Sequence, residues 1–320
     1  MKRFLIKTLI FLLVVFVLAS VLDVIVSKGV LRMEDYRFQD YAAMLEGGMD
    51  HDVLIMGNSR GKSHYDTYLI DSLCHVSSFC IGVGGYPFNV QLMKYKLYRE
   101  HNAKPRVIIQ ELDHGTIKSF ADVRHQHQSE QFFPLVYDRG MRKELKKLGY
   151  GWCELNLPMY RYYGYQQVIK NGLLEFFHLK HYVTFPAYKG HRPEEGPWNG
   201  APLAEMEEYT LTFSDENLAV FENYLQDCER DSIRVVLVYS PLYIGAIRKM
   251  KGFDEVCTRF RELAEKYDFH FLNYTTDCPI SQDTSNFCVS VHLNPAATKA
   301  FSEILCHDLD SLAIFNERID

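Results

Sequence analysis

A chain of 320 residues has room for one large domain or two small ones, and 47% hydrophobic with 24% charged residues is a globular balance. A net charge of −6 with no basic stripe argues against a nucleic-acid-binding surface. Eight cysteines contain no Cys-x-x-Cys pair, which argues against a zinc or thioredoxin-type centre; Cys74 with Cys80, or Cys278 with Cys288, has the spacing of a short-loop disulfide if the domain is exported.

The N-terminus carries Lys2, Arg3 and Lys7 ahead of an apolar run from Leu9 to Val26, interrupted at Asp23. As a helix this run spans about 27 Å, close to the hydrocarbon thickness of a bilayer. Its length favours an uncleaved anchor over a cleaved signal peptide, for which Val17-Leu18-Ala19 is the candidate cleavage signal. The preceding cations predict a cytoplasmic N-terminus and an extracytoplasmic main domain, in the periplasm or at the cell surface. The expected division is an anchor over 1–28, a linker with a short amphipathic helix over 29–52, and an α/β domain over 53–320.

Val53 to Met56 reads as a buried strand that stops at Gly57 and opens a polar turn, Asn58-Ser59-Arg60-Gly61. A short helix from Asp66 to Leu73 and a strand from Val76 to Ile81 follow, then the glycine-rich loop Gly82 to Pro87. Asn89 to His101 reads as a helix and Val107 to Ile109 as a third strand, ending in Glu111-Leu112-Asp113-His114. From Gly115 to Phe213 the alternation fails. That stretch, with its His125 and His127, its basic piece from Arg142 to Lys147 and its run of tyrosines, is expected to be an insertion of helices and loops over the crevice that adds no strand to the central sheet. Its tyrosines and Trp198 are either aromatic core or sugar-stacking surfaces.

Alternation resumes with a helix capped by Ser214, a strand from Ile233 to Tyr239, a helix from Phe253 to Lys266 and a strand from Phe269 to Leu272. Asn294 and Pro295 open a last helix that runs to about Leu312. Strands alternating with helices predict a three-layer, flavodoxin-like α/β/α sandwich with about five parallel strands. In such a sheet the ligand crevice lies beyond the carboxyl ends of the strands, where Ser59 sits. His292, just before the last helix, is placed to reach Ser59 as a general base.

Three blocks resemble the SGNH (GDSL-type) hydrolases: Gly57-Asn58-Ser59-Arg60, Cys80 to Gly85, and Val291-His292-Leu293-Asn294. The similarity covers roughly 52–312 and is nearest to the membrane-anchored branch, which includes D-alanyl transfer and alginate O-acetylation proteins. It implies Ser59 as nucleophile, Gly85 as a backbone oxyanion donor beside Ser59, and His292 as base. Val289 stands where the family has an acid, Cys80 stands at the second-block asparagine, and the third-block asparagine is missing. Asp113 and Asp283 are the candidates to replace the acid. Asn58 and Arg60 are auxiliary candidates, Arg60 being either an anion-binding or a solvated turn residue.

The resemblance implies an extracytoplasmic serine esterase or O-acyltransferase acting on an envelope glycan or acylated polymer, with no cofactor and no metal. The alternative is a catalytically degenerate module that binds glycan or docks a membrane-bound acyltransferase. A metal site at His125 and His127 is a third and weaker reading.

Overall fold

The computed structural model describes residues 1–113, 116, 128–184 and 187–315. His125 and His127 lie outside the described residues. The chain forms two compact units, one built from Met1–Glu46 and Ala121–Ala187, the other from Gly47–Phe120 and Tyr188–Asp320.

The second unit carries a sheet of five parallel strands: β1 (Val53–Met56), β2 (Ser78–Cys80), β3 (Val107–Glu111), β4 (Arg234–Tyr239) and β5 (His270–Asn273). Their spatial order is β2-β1-β3-β4-β5, the flavodoxin-like order, with its switch point beside β1. The expected α/β class and strand count are therefore what is observed. Besides the single turns Ala201–Ala204 and Ile244–Ile247, the described α-helices of this unit are α1 (Ser59–Ser63), α2 (Thr67–Cys74), α3 (Phe88–His101), α4 (Asp215–Arg230), α5 (Phe253–Lys266) and α6 (Pro295–Ser311).

Every residue of β1 and β3 is buried, which is why β1 and the Val107–Ile109 part of β3 read as unbroken apolar runs rather than alternating ones. Alternate residues still face opposite layers. Val53, Ile55, Val107, Ile109, Val236 and Val238 pack on one side with Phe301, Leu305 and Leu309 of α6 and Ile70 of α2. The α6 residues recur every four positions, one stripe of a helix, and each such side chain contributes about 1.5–3 kcal/mol by burial. On the other side Phe88, Phe221 and Phe260 of α3, α4 and α5 meet edge to face, and Met56 meets Tyr224.

Between 115 and 213, no described segment adds a strand to this sheet, although Lys189 O accepts from Cys80 N at 2.9 Å on its β2 edge. Val183–Thr184 pairs with Glu34–Asp35, and Tyr209–Thr210 pairs with Met250–Lys251. All eight cysteines are free thiols. The short-loop pairings expected from spacing are not formed: the thiol of Cys74 hydrogen-bonds with that of Cys306, and Cys80 Sγ donates to the carbonyl of Gly61 at 3.2 Å.

The first unit begins with one helix, Lys2–Val30, long and apolar enough to cross a membrane. Its large apolar side chains are exposed from Phe4 to Leu22, about 28 Å of helix. The apolar run expected to reach Val26 is cut short because Asp23 and Val26 are buried inside the unit. Asp23 is 1% exposed. It accepts both arms of the Arg161 guanidinium, the hydroxyl of Tyr137 and the backbone N–H of Met159. A carboxylate buried at that depth requires such a set of donors. Beyond it the helix lies against Gln166–Phe176 so closely that a Cβ on Gly29 would fall 1.8 Å from the carbonyl oxygen of Gly172.

Candidate active site

Beyond β1 the chain enters α1 at once. The segment read as a polar turn is a one-turn helix with Ser59 as its first residue, because Asn58 caps it: Asn58 Oδ1 accepts from Arg60 N at 2.9 Å. The N–H of a first helical residue has no intrahelical partner, and no described residue accepts from Ser59 N. The β1–β2 ladder runs on into the glycine loop, with Ile81 N donating to Ile55 O and Val83 N to Gly57 O. Loop and helix start are thereby pressed together: a Cβ on Gly82 would sit 2.8 Å from Lys62 N. Gly84 is the loop residue that abuts Ser59, and Gly85 follows with φ +77° and open space where a Cβ would stand.

His292 arrives from the other end of the chain. Phe287–Val289 pairs antiparallel with His292–Leu293, so Val289 stands opposite His292 across a tight connection. Asn294 caps α6 through Ala297 N at 3.0 Å. This arrangement brings His292 Nε2 to 2.8 Å from Ser59 Oγ, both residues half-buried. Burial lowers the His292 pKa, as do Arg60 and Arg192, while Glu194 opposes them. The imidazole is therefore neutral at pH 7, with a lone pair to accept the serine proton.

No described residue hydrogen-bonds His292 Nδ1. Asp113 is spent on Thr116, whose N–H and hydroxyl it accepts at 2.9 and 3.1 Å. Asp283 is exposed and caps the turn at Ser285. Neither expected substitute acid reaches the histidine. Besides Arg60, the charged groups that act on it lie in 189–200: Arg192 and Glu194 pair at 3.4 Å, and Glu194 O accepts from Cys288 Sγ at 3.6 Å, one residue from Val289.

Arg60 departs from both expectations for it. It is 4% exposed, neither solvated nor turned to the crevice. As the second residue of α1 its side chain donates to Leu112 O, pairs with Glu111 at 3.3 Å and lies over the Tyr239 ring, at the ends of β3 and β4. Glu111, at the end of β3, also accepts from the hydroxyls of Tyr65 and Ser240. Burial pushes its carboxyl up, against the guanidinium and the two hydroxyls, which favour the carboxylate.

His64 completes this buried group. Its Nε2 accepts from Leu293 N at 3.1 Å, so Nδ1 carries the proton and donates to Ser240 Oγ at 2.8 Å. Burial and Arg60 hold its pKa well below the ordinary value, so the ring stays neutral. The chain Glu111–Ser240–His64 thus ends on the backbone of the residue after His292. Nothing local in the sequence marks His64 or Ser240: one follows a one-turn helix, the other an apolar strand.

No protein-family model matches the chain, and no curated protein matches it. A solved structure from Bacteroides fragilis NCTC 9343, described as a "putative acylhydrolase", is similar with a TM-score of 0.41 and 10% identity, over 88% of this chain and 97% of that one. At that level the likeness carries no inference about chemistry.

Proposed function

We propose that the chain is a membrane-anchored serine ester hydrolase or O-acyltransferase with Ser59 as nucleophile and His292 as base. The observation that carries this reading is the 2.8 Å approach of Ser59 Oγ and His292 Nε2 at the carboxyl edge of a parallel sheet. In the proposed reaction His292 takes the hydroxyl proton as Oγ attacks an ester carbonyl. The N–H groups of Ser59 and Gly85 receive the oxyanion. Collapse of the adduct expels the alcohol, which takes the proton back from His292. The acyl group then passes from Ser59 to water or to an acceptor hydroxyl in the same way.

The three motif blocks, in order and each just past a strand or before the last helix, support an ester of an envelope glycan or polymer as substrate. The basic residues ahead of the apolar helix support an extracytoplasmic site. One observation favours the alternative of a docking or glycan-binding module for a membrane acyltransferase. Among the described residues no carboxylate orients His292, and in chymotrypsin-type serine proteases turning that acid into its amide lowers kcat by about 10⁴.

The deciding experiment treats the full-length chain in detergent with a fluorophosphonate probe. Wild type should label, Ser59→Ala should not, and His292→Gln should label far more slowly. Labelling unchanged in Ser59→Ala, or none from neutral to alkaline pH, refutes catalysis and leaves the docking module.

A further inference from the structure

We propose that the unit formed by Met1–Glu46 and Ala121–Ala187 rests on the membrane surface at the Asp23 end of the N-terminal helix, with anionic phospholipid headgroups held on the cationic face of the helix Arg139–Lys147 and exposed aromatic residues beside it. The inference rests on the reading of the N-terminal helix as a membrane span.

The level of the surface follows from the helix itself. Its exposed apolar stretch ends at Leu22, so Asp23 stands where hydrocarbon gives way to headgroups. The segments gathered around that level are known from their contacts. Tyr137 and Arg161 both reach Asp23. A cavity of about 230 Å³ is lined by Ser20, Asp23, Tyr137, Arg142, Leu155 and Asn156, among others. Helix Gln166–Phe176 runs alongside in the same direction, Gly172 meeting Val26 and Phe176 O accepting from Arg32 Nη1. Its first turn, with Tyr160–Tyr162 before it, therefore points back toward Leu22.

What this level presents is the chemistry of an interfacial seat. Trp152 is 68% exposed and Tyr163 is 89% exposed, with Tyr137 and Tyr160 also open. Aromatic rings with one polar edge favour the headgroup region. In Arg139–Lys147, Met141 and Leu145 turn inward and Arg139, Lys143 and Lys146 turn outward at i, i+4 and i+7. None of these three has a carboxylate partner among the described residues, whereas Lys147 pairs with Glu144. Arg142, a sixth of a turn from this stripe, lines the cavity beside Ser20 and Asp23. Unpaired cations on a helix next to a span match the charge of anionic lipid, each worth about fivefold in attraction to an anionic surface.

The test uses Trp152 as its own reporter, in a Trp198→Phe chain reconstituted one copy per nanodisc. The lipids are phosphatidylcholine with a fixed fraction of either phosphatidylglycerol or phosphatidylcholine brominated near the ester end of the acyl chains. Expected is quenching of Trp152 by both, several-fold stronger with brominated phosphatidylglycerol, and the excess lost in Arg139→Gln/Lys143→Gln/Lys146→Gln. A control places tryptophan in the span, Phe11→Trp with Trp152→Phe and Trp198→Phe. Control quenching with Trp152 open to aqueous iodide overturns the seat while the span stands. Trp152 shielded from both bromolipid and iodide overturns it in favour of a second protein copy. Equal quenching by the two lipids overturns the anionic preference. A control that is not quenched overturns the span, and the seat with it.

Discussion

Ser240→Ala probes the buried chain that ends beside His292. Its hydroxyl donates to Glu111 Oε1 at 2.9 Å and accepts from His64 Nδ1 at 2.8 Å, so the substitution deletes two hydrogen bonds with no route for water. Moving the imidazole proton to Nε2 would set it against the Leu293 N–H and forfeit that bond. Leaving Nδ1–H buried and unmade costs about 1–3 kcal/mol, and losing a bond to a carboxylate about 1.5–3 kcal/mol. Tyr65, Arg60 and Ser240 N remain on Glu111 and offset part of this. A net loss of about 3 kcal/mol lowers Tm by about 6–12 °C in a unit of this size. The assay is thermal unfolding of the full-length chain in detergent, followed by Trp198 emission in a Trp152→Phe background; Trp198 packs on Tyr243 in the same unit. Ser63→Ala is the internal control. Its hydroxyl is buried with no partner among the described residues, so its removal should be neutral or stabilising by up to about 1 kcal/mol. If both serines tolerate alanine equally, the hydrogen-bond chain through Ser240 does not exist in solution.

The pH profile of kcat/KM with an activated ester should rise with a midpoint below that of an ordinary histidine, because burial lowers the His292 pKa and the neutral ring is the active form. Glu194→Gln should move that midpoint further down and Arg192→Gln should move it up, since the first removes a charge that favours the imidazolium and the second one that opposes it; shifts of the same sign would show that these residues do not face His292. In the first unit, Arg161→Met should cost about 3–5 kcal/mol by stranding the Asp23 carboxylate, and Asp23→Leu with Arg161→Met should recover most of it. Trp152 emission in a Trp198→Phe chain reports that unfolding, and a double variant no better than the single one would contradict the pairing.

The secondary structure of the sheet unit was legible because its signals are local. Val53 to Met56 is apolar throughout, Asp66, Ser214 and Asn294 are caps, and α5 carries Val256, Phe260 and Leu263 on one face. Parallel connectivity then followed from the alternation alone. The same order of elements sends the ends of β1 and of the Phe287–Leu293 hairpin to one edge, which is why Ser59 and His292 could be paired from the sequence before any distance was known.

Other partners far apart in the chain were not legible. Periodicity says that a residue is buried, not what it is buried against. Arg60 looked like a turn residue because its acceptor, Glu111, lies on another strand. His64 and Ser240 are 176 positions apart, and Asp23 and Arg161 are 138 apart. A buried charge or imidazole is tolerated only with its counterpart in place, and tertiary packing alone decides which side chain arrives. The sequence by itself determined the layers, the caps and the meeting of serine with histidine. Packing decided that Asp113 and Asp283 miss the histidine, that Arg60 is structural, and that an aspartate inside an apolar helix marks where that helix enters the first unit.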